Sequence, residues 1–258
     1  MMTPSKRSSV LVAGATGAIG RWLVPKLVDA GYRVVGLTRD PAKADSLLEA
    51  GAIPVIADVF DAERLTRIMM AARPDAVIHQ LTDLPGNLDA SRMQEGIVRN
   101  ARIRAEGTRN LMAAARAAGV ARVVAQSIAW AYAPGPGRFS ETDALDVKAE
   151  GMRSVSVAGV VALEKSVLES GGVVLRYGQL WGEGTGADTP EGKDRPLHVD
   201  GAVSAAIMAL EGGTAGVYNI ADDDRVLDLS KAREILGWMP GLRGKVHSAY
   251  GGAEVAHG

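Results

Sequence analysis

The segment Gly14-Ala15-Thr16-Gly17-Ala18-Ile19-Gly20 sets three glycines at intervals of three residues. A turn of this kind presents backbone N–H groups at the start of a helix, where the positive end of the helix dipole can meet an anion. Glycine is needed because a Cβ would obstruct the turn, the phosphate or the helix–strand contact. The apolar run Val10-Leu11-Val12-Ala13 precedes the turn, and Ile19, Leu23, Leu27 and Val28 then share one helical face. That is the strand–turn–helix setting a pyrophosphate-binding turn requires, so Gly14 to Gly20 are expected to hold NAD or NADP.

A second chemical signal stands at the end of the next apolar run, Val35-Gly36-Leu37-Thr38-Arg39-Asp40, where the adenosine ribose would lie. Arg39 can pair with a 2′-phosphate, which favours NADP. The alternative, a solvated Arg39 with Asp40 on a free 2′-hydroxyl, admits NAD. Asp58 and Val59 are expected to border the adenine, although Asp58 could equally cap the following helix.

The elements that must position these groups alternate regularly. Strands are predicted at 10–13, 33–37, 53–56 and 76–80, with helices at 19–29, 41–50 and 61–72 between them; this pattern means parallel pairing with right-handed crossovers. A long helix is predicted over 91–118, a fifth strand over 122–126, a helix over 157–169 and a strand over 172–177. Beyond lie a glycine-rich loop to 192, a helix over 201–210, a strand at 217–220 and a short helix at 230–236. The expected fold is α/β, a Rossmann doubly wound parallel sheet with a small C-terminal substrate lobe. Residues 1–177 are assigned to the core and 178–258 to a reduced lobe interleaved with the last core elements.

The chain of 258 residues can bury one large core. Its formal net charge of −1 gives no field to recruit nucleic acid or an anionic membrane. The absence of cysteine excludes disulfides, thiolate nucleophiles and Cys-ligated zinc. The four histidines have no metal-ligand spacing, so no catalytic metal is expected. No signal peptide or spanning segment is legible, and a soluble, cytoplasmic protein is the expectation. The expected ligand is a small molecule.

Together with the glycine turn, several segments carry a resemblance: Gly107-Thr108-Arg109-Asn110-Leu111, the strand 122–127 leading to Tyr132, Leu175-Arg176-Tyr177-Gly178, His198-Val199-Asp200, Val217-Tyr218-Asn219-Ile220 and Leu236-Gly237-Trp238. Over nearly its whole length the chain resembles the extended short-chain dehydrogenase/reductase superfamily, which includes NAD(P)-dependent epimerases and dehydratases. The resemblance implies catalysis by a Tyr-x-x-x-Lys pair and a Ser or Thr. With Glu164 as marker, those Tyr and Lys positions fall on Ser156 and Val160, and the hydroxyl position falls on Ile128. The standard proton-transfer apparatus is missing.

Substitutes are sought nearby. Tyr132, just after the fifth strand, could donate a proton, or could plug the cleft wall. Ser127 could orient substrate, or bond its own loop. Tyr177 and Trp181 flank the glycine-rich loop and could line the substrate site, or simply pack. The resemblance places Gln80 and Leu81 beside the cofactor, near His79. Arg99, Arg102 and Arg104 could bind phosphate, although such runs are usually solvated faces. His198 is expected to fasten the lobe to the core. The superfamily often forms homodimers, here through the helices at 91–118 and 157–169.

The reading is an NAD(P)-dependent oxidoreductase, or an epimerase/dehydratase-like enzyme, acting on a small carbonyl or hydroxyl compound. A non-redox isomerase or cyclase and a non-catalytic NADP sensor are the alternatives.

Overall fold

The computed structural model describes residues 8–85, 88–223 and 225–242; residues 243–258, assigned above to the lobe, lie outside the described residues. The strands are β1 (Ser9–Ala13), β2 (Arg33–Thr38), β3 (Ile53–Ile56), β4 (Ala76–His79), β5 (Arg122–Ile128), β6 (Val173–Tyr177), β7 (Gln179–Trp181), β8 (Pro196–His198) and β9 (Gly216–Ile220). The helices are α1 (Gly20–Asp29), α2 (Ala44–Glu49), α3 (Ala62–Ala72), α4 (Met93–Arg102), α5 (Thr108–Ala117), α6 (Gly151–Glu169) and α7 (Val199–Glu211).

Seven strands form one sheet in the order β3-β2-β1-β4-β5-β6-β9, every pair parallel. Strand β1 shows why its sequence is continuously apolar. Val10 and Val12 pack on one side with Leu23 and Leu27 of α1 and with the small residues of α7. Leu11 and Ala13 pack on the other with Leu65 of α3, Leu111 of α5 and Leu163 of α6. A strand buried on both faces has no polar face to alternate with. The chain order reverses between β1 and β4, and such a switch point opens a crevice at the carboxyl ends of the strands.

Three features differ from the expectation. First, helix α6 begins at Gly151 rather than 157; its first residues are exposed or half-buried and carry no apolar period. Second, the long helix is interrupted by a π-helical turn at Ile103–Gly107. Third, two three-residue strands, β7 and β8, pair in parallel as a separate small sheet. Within 178–242, helix α7 and strand β9 belong to the core layers. The segments standing outside the main sheet are the β7–β8 pair, its connecting loop and the chain around Phe139, which bridges to Leu227. No helix among the described residues is long and apolar enough to cross a membrane.

Candidate functional site

At the carboxyl end of β1 the glycine turn adopts the conformation its composition demands. Gly14 has φ +86°, and a Cβ there would lie 2.5 Å from the Gln80 carbonyl oxygen. A Cβ on Gly20 would lie 2.1 Å from the Gly14 carbonyl oxygen. Gly17 donates its N–H to that same carbonyl at 3.1 Å, closing the turn. Ala15, Ile19 and Gly20 are buried beneath it, so they shape the backbone from below, while Thr16 and Gly17 face the cleft. Ala18 is half-buried beside them. No side chain caps α1, and its first turn holds no acidic residue. Uncapped N–H groups at a helix start are donors waiting for an anion.

The cleft above the turn has a volume of about 260 Å³, and Gly14, Arg39, Asp58, Val59, Gln80 and Leu81 are among its lining residues, together with Lys43. These expected residues are brought together. Asp40, the competitor of Arg39 for the ribose, is occupied locally: its carboxylate accepts from the Ala42 N–H at 3.1 Å. Arg39 forks onto Asp83 at 2.9 and 3.2 Å, and this hydrogen-bonded pairing raises its pKa above the ordinary arginine value. Asp58 accepts from the Phe60 N–H, and Asp61, not Asp58, caps α3 by accepting from the Arg64 N–H.

The segment Gly107 to Leu111 holds the far wall. A Cβ on Gly107 would meet Val59 at 2.9 Å, Asn110 donates to the Val59 carbonyl at 3.1 Å, and the Thr108 hydroxyl pairs with His79 Nε2 at 2.8 Å. His79 Nδ1 accepts from the Leu81 N–H, so Nε2 carries the proton. Burial, aided by the charge of Arg104, holds the His79 pKa down at about 4. His79 is thus a neutral strut. The side-chain amide of Gln80 lies beside the Tyr177 phenol, yet neither of its buried polar atoms completes a hydrogen bond.

The structure does not bring Ser127, Tyr132 and Tyr177 to this cleft. All three are buried. Ser127 donates to Glu164 at 2.7 Å, Tyr132 to Asn219 Oδ1 at 2.7 Å, and Tyr177 to the Ala202 carbonyl at 3.0 Å. Burial raises the pKa of both tyrosines. Sequence shows the donors and not their partners, which lie 25 to 87 residues away.

Trp181 lines a different cavity, of about 370 Å³, with Asp222 and Arg233. Its indole donates to Asp222 at 3.1 Å, and its ring meets His198 edge-on. The His198 N–H donates to the same carboxylate, and His198 Nδ1 accepts from the Asp200 N–H at the start of α7. His198 therefore does tie the small sheet to the core. The loop after β7 reaches α1: the Glu183 carbonyl accepts from the Trp22 indole N–H. No group of metal-ligating side chains is found among the described residues.

The residue that the arginine run concealed is Arg104. Arg102 is exposed and pairs with Glu106, and Arg99 reaches Asp83 and Glu95, as solvated faces do. Arg104, inside the π turn, is buried. Sequence periodicity carries no sign of the extra residue that turns it inward.

The model of the NAD dependent epimerase/dehydratase family matches residues 10–195. A 3-diazoavenalumate denitrifying reductase from Streptomyces sp is 42% identical over 237 residues, covering 83% of this chain and 76% of that protein. This chain belongs to the NAD dependent epimerase/dehydratase family. Membership makes it an NAD(P)-dependent enzyme with a Rossmann fold. Solved members share the fold: the UDP-glucose 4-epimerase of Thermotoga maritima with UDP-glucose has a TM-score of 0.72 at 21% identity, covering 91% of this chain and 94% of that one. The Bordetella bronchiseptica enzyme WbmG in complex with NAD has a TM-score of 0.72 at 19% identity, covering 95% and 92%. Helix α6 carries Ser156 and Val160 and no tyrosine.

Proposed function

We propose that this protein is an NADP-dependent reductase whose substrate is a small arenediazonium compound, reduced with loss of dinitrogen. The observation that carries the reading is that α6 holds no tyrosine; the family resemblance puts Ser156 and Val160 at the positions expected for the proton-transferring pair. Reduction of a ketone leaves an alkoxide that needs an acid within reach. A diazonium group needs none, because its leaving group departs neutral. NADPH, when bound, would supply a hydride whose electron pair becomes the new C–H bond, the C–N pair leaving as a lone pair of dinitrogen.

The residues present fit that cofactor. The uncapped start of α1 and the glycine turn suit a pyrophosphate, and the rim holds Arg39 and Lys43 with Asp40 already engaged, a set suited to a 2′-phosphate. The similarity to a denitrifying reductase supports the substrate class. The short loop between β7 and β8 favours a compact substrate over a nucleotide-sugar, and Trp181 stands at its base.

The test is incubation with NADPH and an arenediazonium carboxylate, following 340 nm absorbance, dinitrogen release and deuterium transfer from C4-deuterated NADPH into the arene. Enzyme-dependent release with deuterium at the former C–N carbon is the expected result. Turnover of UDP-glucose or of simple ketones, with the diazonium compound untouched, would overturn the reading.

A further inference from the structure

The π turn at Ile103–Gly107 holds a guanidinium that the fold leaves almost unsatisfied. Arg104 is 7% exposed. Among the described residues its one hydrogen bond runs from Nη1 to the Ser156 hydroxyl at 3.4 Å, long for such a bond. The carboxylate whose charge it feels, Glu164, is taken: both its oxygens accept from Arg176, at 2.9 and 2.7 Å, and Oε1 also accepts from Ser127. His79, which feels the Arg104 charge, is neutral. Two buried guanidiniums therefore share one carboxylate, and a buried charge without a counterion is costly unless something completes it. Burial, only partly opposed by Glu164, lowers the Arg104 pKa to about 10.

The position is as informative as the charge. Ile103, the preceding residue, lines the cofactor cleft, and His79, which feels the Arg104 charge, ends strand β4. The guanidinium thus lies at the carboxyl edge of the sheet, against the face of α6 that carries Ser156, where ligands of such folds collect. A π turn at such a place is a common mark of a functional site.

We propose that Arg104 is the substrate-anchoring residue, its guanidinium receiving an anionic oxygen, carboxylate or phenolate, of the molecule to be reduced. The assignment rests on the reductase reading above. A substrate oxyanion supplies the missing counter-charge, and the planar fork of arginine suits two-point recognition of a carboxylate. The same cation would hold the reacting group in place without lending it a proton.

The test uses the purified full-length chain saturated with NADP⁺ and titrated calorimetrically with benzoate, 4-nitrophenolate and benzamide. The affinity for NADPH is measured separately by nicotinamide fluorescence. The expected result is binding of at least one anion and much weaker binding of benzamide. Arg104→Met should lower anion affinity at least about tenfold with NADPH affinity unchanged, and Arg104→Lys should restore part of it. Benzoate against 4-nitrophenolate tells which oxyanion is received. Equal binding of benzamide by the wild-type protein overturns the assignment without recourse to any variant. So does an Arg104→Met or Arg104→Lys protein that binds the anion as the wild type does, or that loses NADPH in step with it. Failure of the wild-type chain to bind NADPH is a separate result and defeats the reductase reading instead.

Discussion

Arg176 grips Glu164 from two prongs, Nε to Oε1 at 2.9 Å and Nη2 to Oε2 at 2.7 Å, with the two side chains 5% and 6% exposed. Against the opposing effect of burial, this fork holds the Arg176 guanidinium above its ordinary pKa. The pair joins β6 to α6, collects the Ser127 hydroxyl from β5, and lies over the Tyr132 ring with the guanidinium 4.8 Å from its centroid.

Removing one partner leaves the other buried and uncompensated. Glu164→Ala should therefore lower unfolding free energy by about 3–5 kcal/mol. The triple change Glu164→Leu, Arg176→Met and Arg104→Met should lose far less, since the buried charges leave together. Urea unfolding of the two proteins checks this; equal losses would mean that the ion pair itself, and not its desolvation, sets the stability.

The same network engages the Ser127 and Tyr132 hydroxyls, so both are expected to act structurally. Tyr132→Phe strands the buried Asn219 oxygen, and Ser127→Ala removes one of the donors to Glu164. Each should lower stability by about 1 kcal/mol and leave kcat within about twofold of wild type. A drop of about a hundredfold in kcat, with stability intact, would return either hydroxyl to the chemistry.

Why these roles were hidden is a matter of sequence distance. The glycine turn was legible because its constraint is local: Gly14, Gly17 and Gly20 answer to each other's backbone. Central strands such as β1 and β4 were legible because burial on both faces leaves runs such as Val10 to Ala13 without polar interruption. Strands β7 and β8 have three residues each, too few for any period. The start of α6 was missed because Gly151, Met152, Arg153 and Ser154 carry no apolar stripe. Arg104 read as one of three solvated arginines, because a π turn changes which residue faces inward without changing composition. Ser127 and Tyr132 looked available since their partners, Glu164 and Asn219, come from other elements.

On the NADP reading proposed above, Arg39 decides cofactor preference through a phosphate that only NADP carries. Arg39→Asp should weaken NADPH by about 2 kcal/mol, roughly thirtyfold, and leave NADH within a few-fold. The variant also removes one of the two arginines paired with Asp83, so Asp83→Asn serves as control: it should not weaken NADPH. Fluorescence titrations with both cofactors measure the difference. An equal loss for both would move the 2′-phosphate away from Arg39.

His79 ties stability to pH. Its pKa is about 4 in the folded protein and about 6.5 when unfolded. Between those values the unfolded chain binds the proton and the folded one does not, so stability rises with pH across that window and falls as pH drops toward 4. Below about 4 both states are protonated and this contribution changes no further. The shift corresponds to about 3 kcal/mol. His79→Asn, which keeps an acceptor for the Leu81 N–H, should flatten the difference in unfolding free energy between pH 4 and 7. If wild type and variant show parallel pH profiles, some other group carries the dependence.

Gly17 separates the fold from the ligand. A Cβ there meets the Gly14 carbonyl oxygen at 3.3 Å, a contact that small backbone adjustments relieve, whereas Gly14 and Gly20 face backbone atoms at 2.5 and 2.1 Å. The Gly17 face also lines the cleft. Gly17→Leu should therefore fold, with a melting temperature lowered by only a few degrees for a loss of about 1 kcal/mol. Its side chain would fill the space through which a pyrophosphate approaches the start of α1, and NADPH binding should be abolished. Gly20→Leu should fail at the earlier step and yield little folded protein. Retained NADPH affinity in a folded Gly17→Leu protein would place the phosphates elsewhere on the sheet.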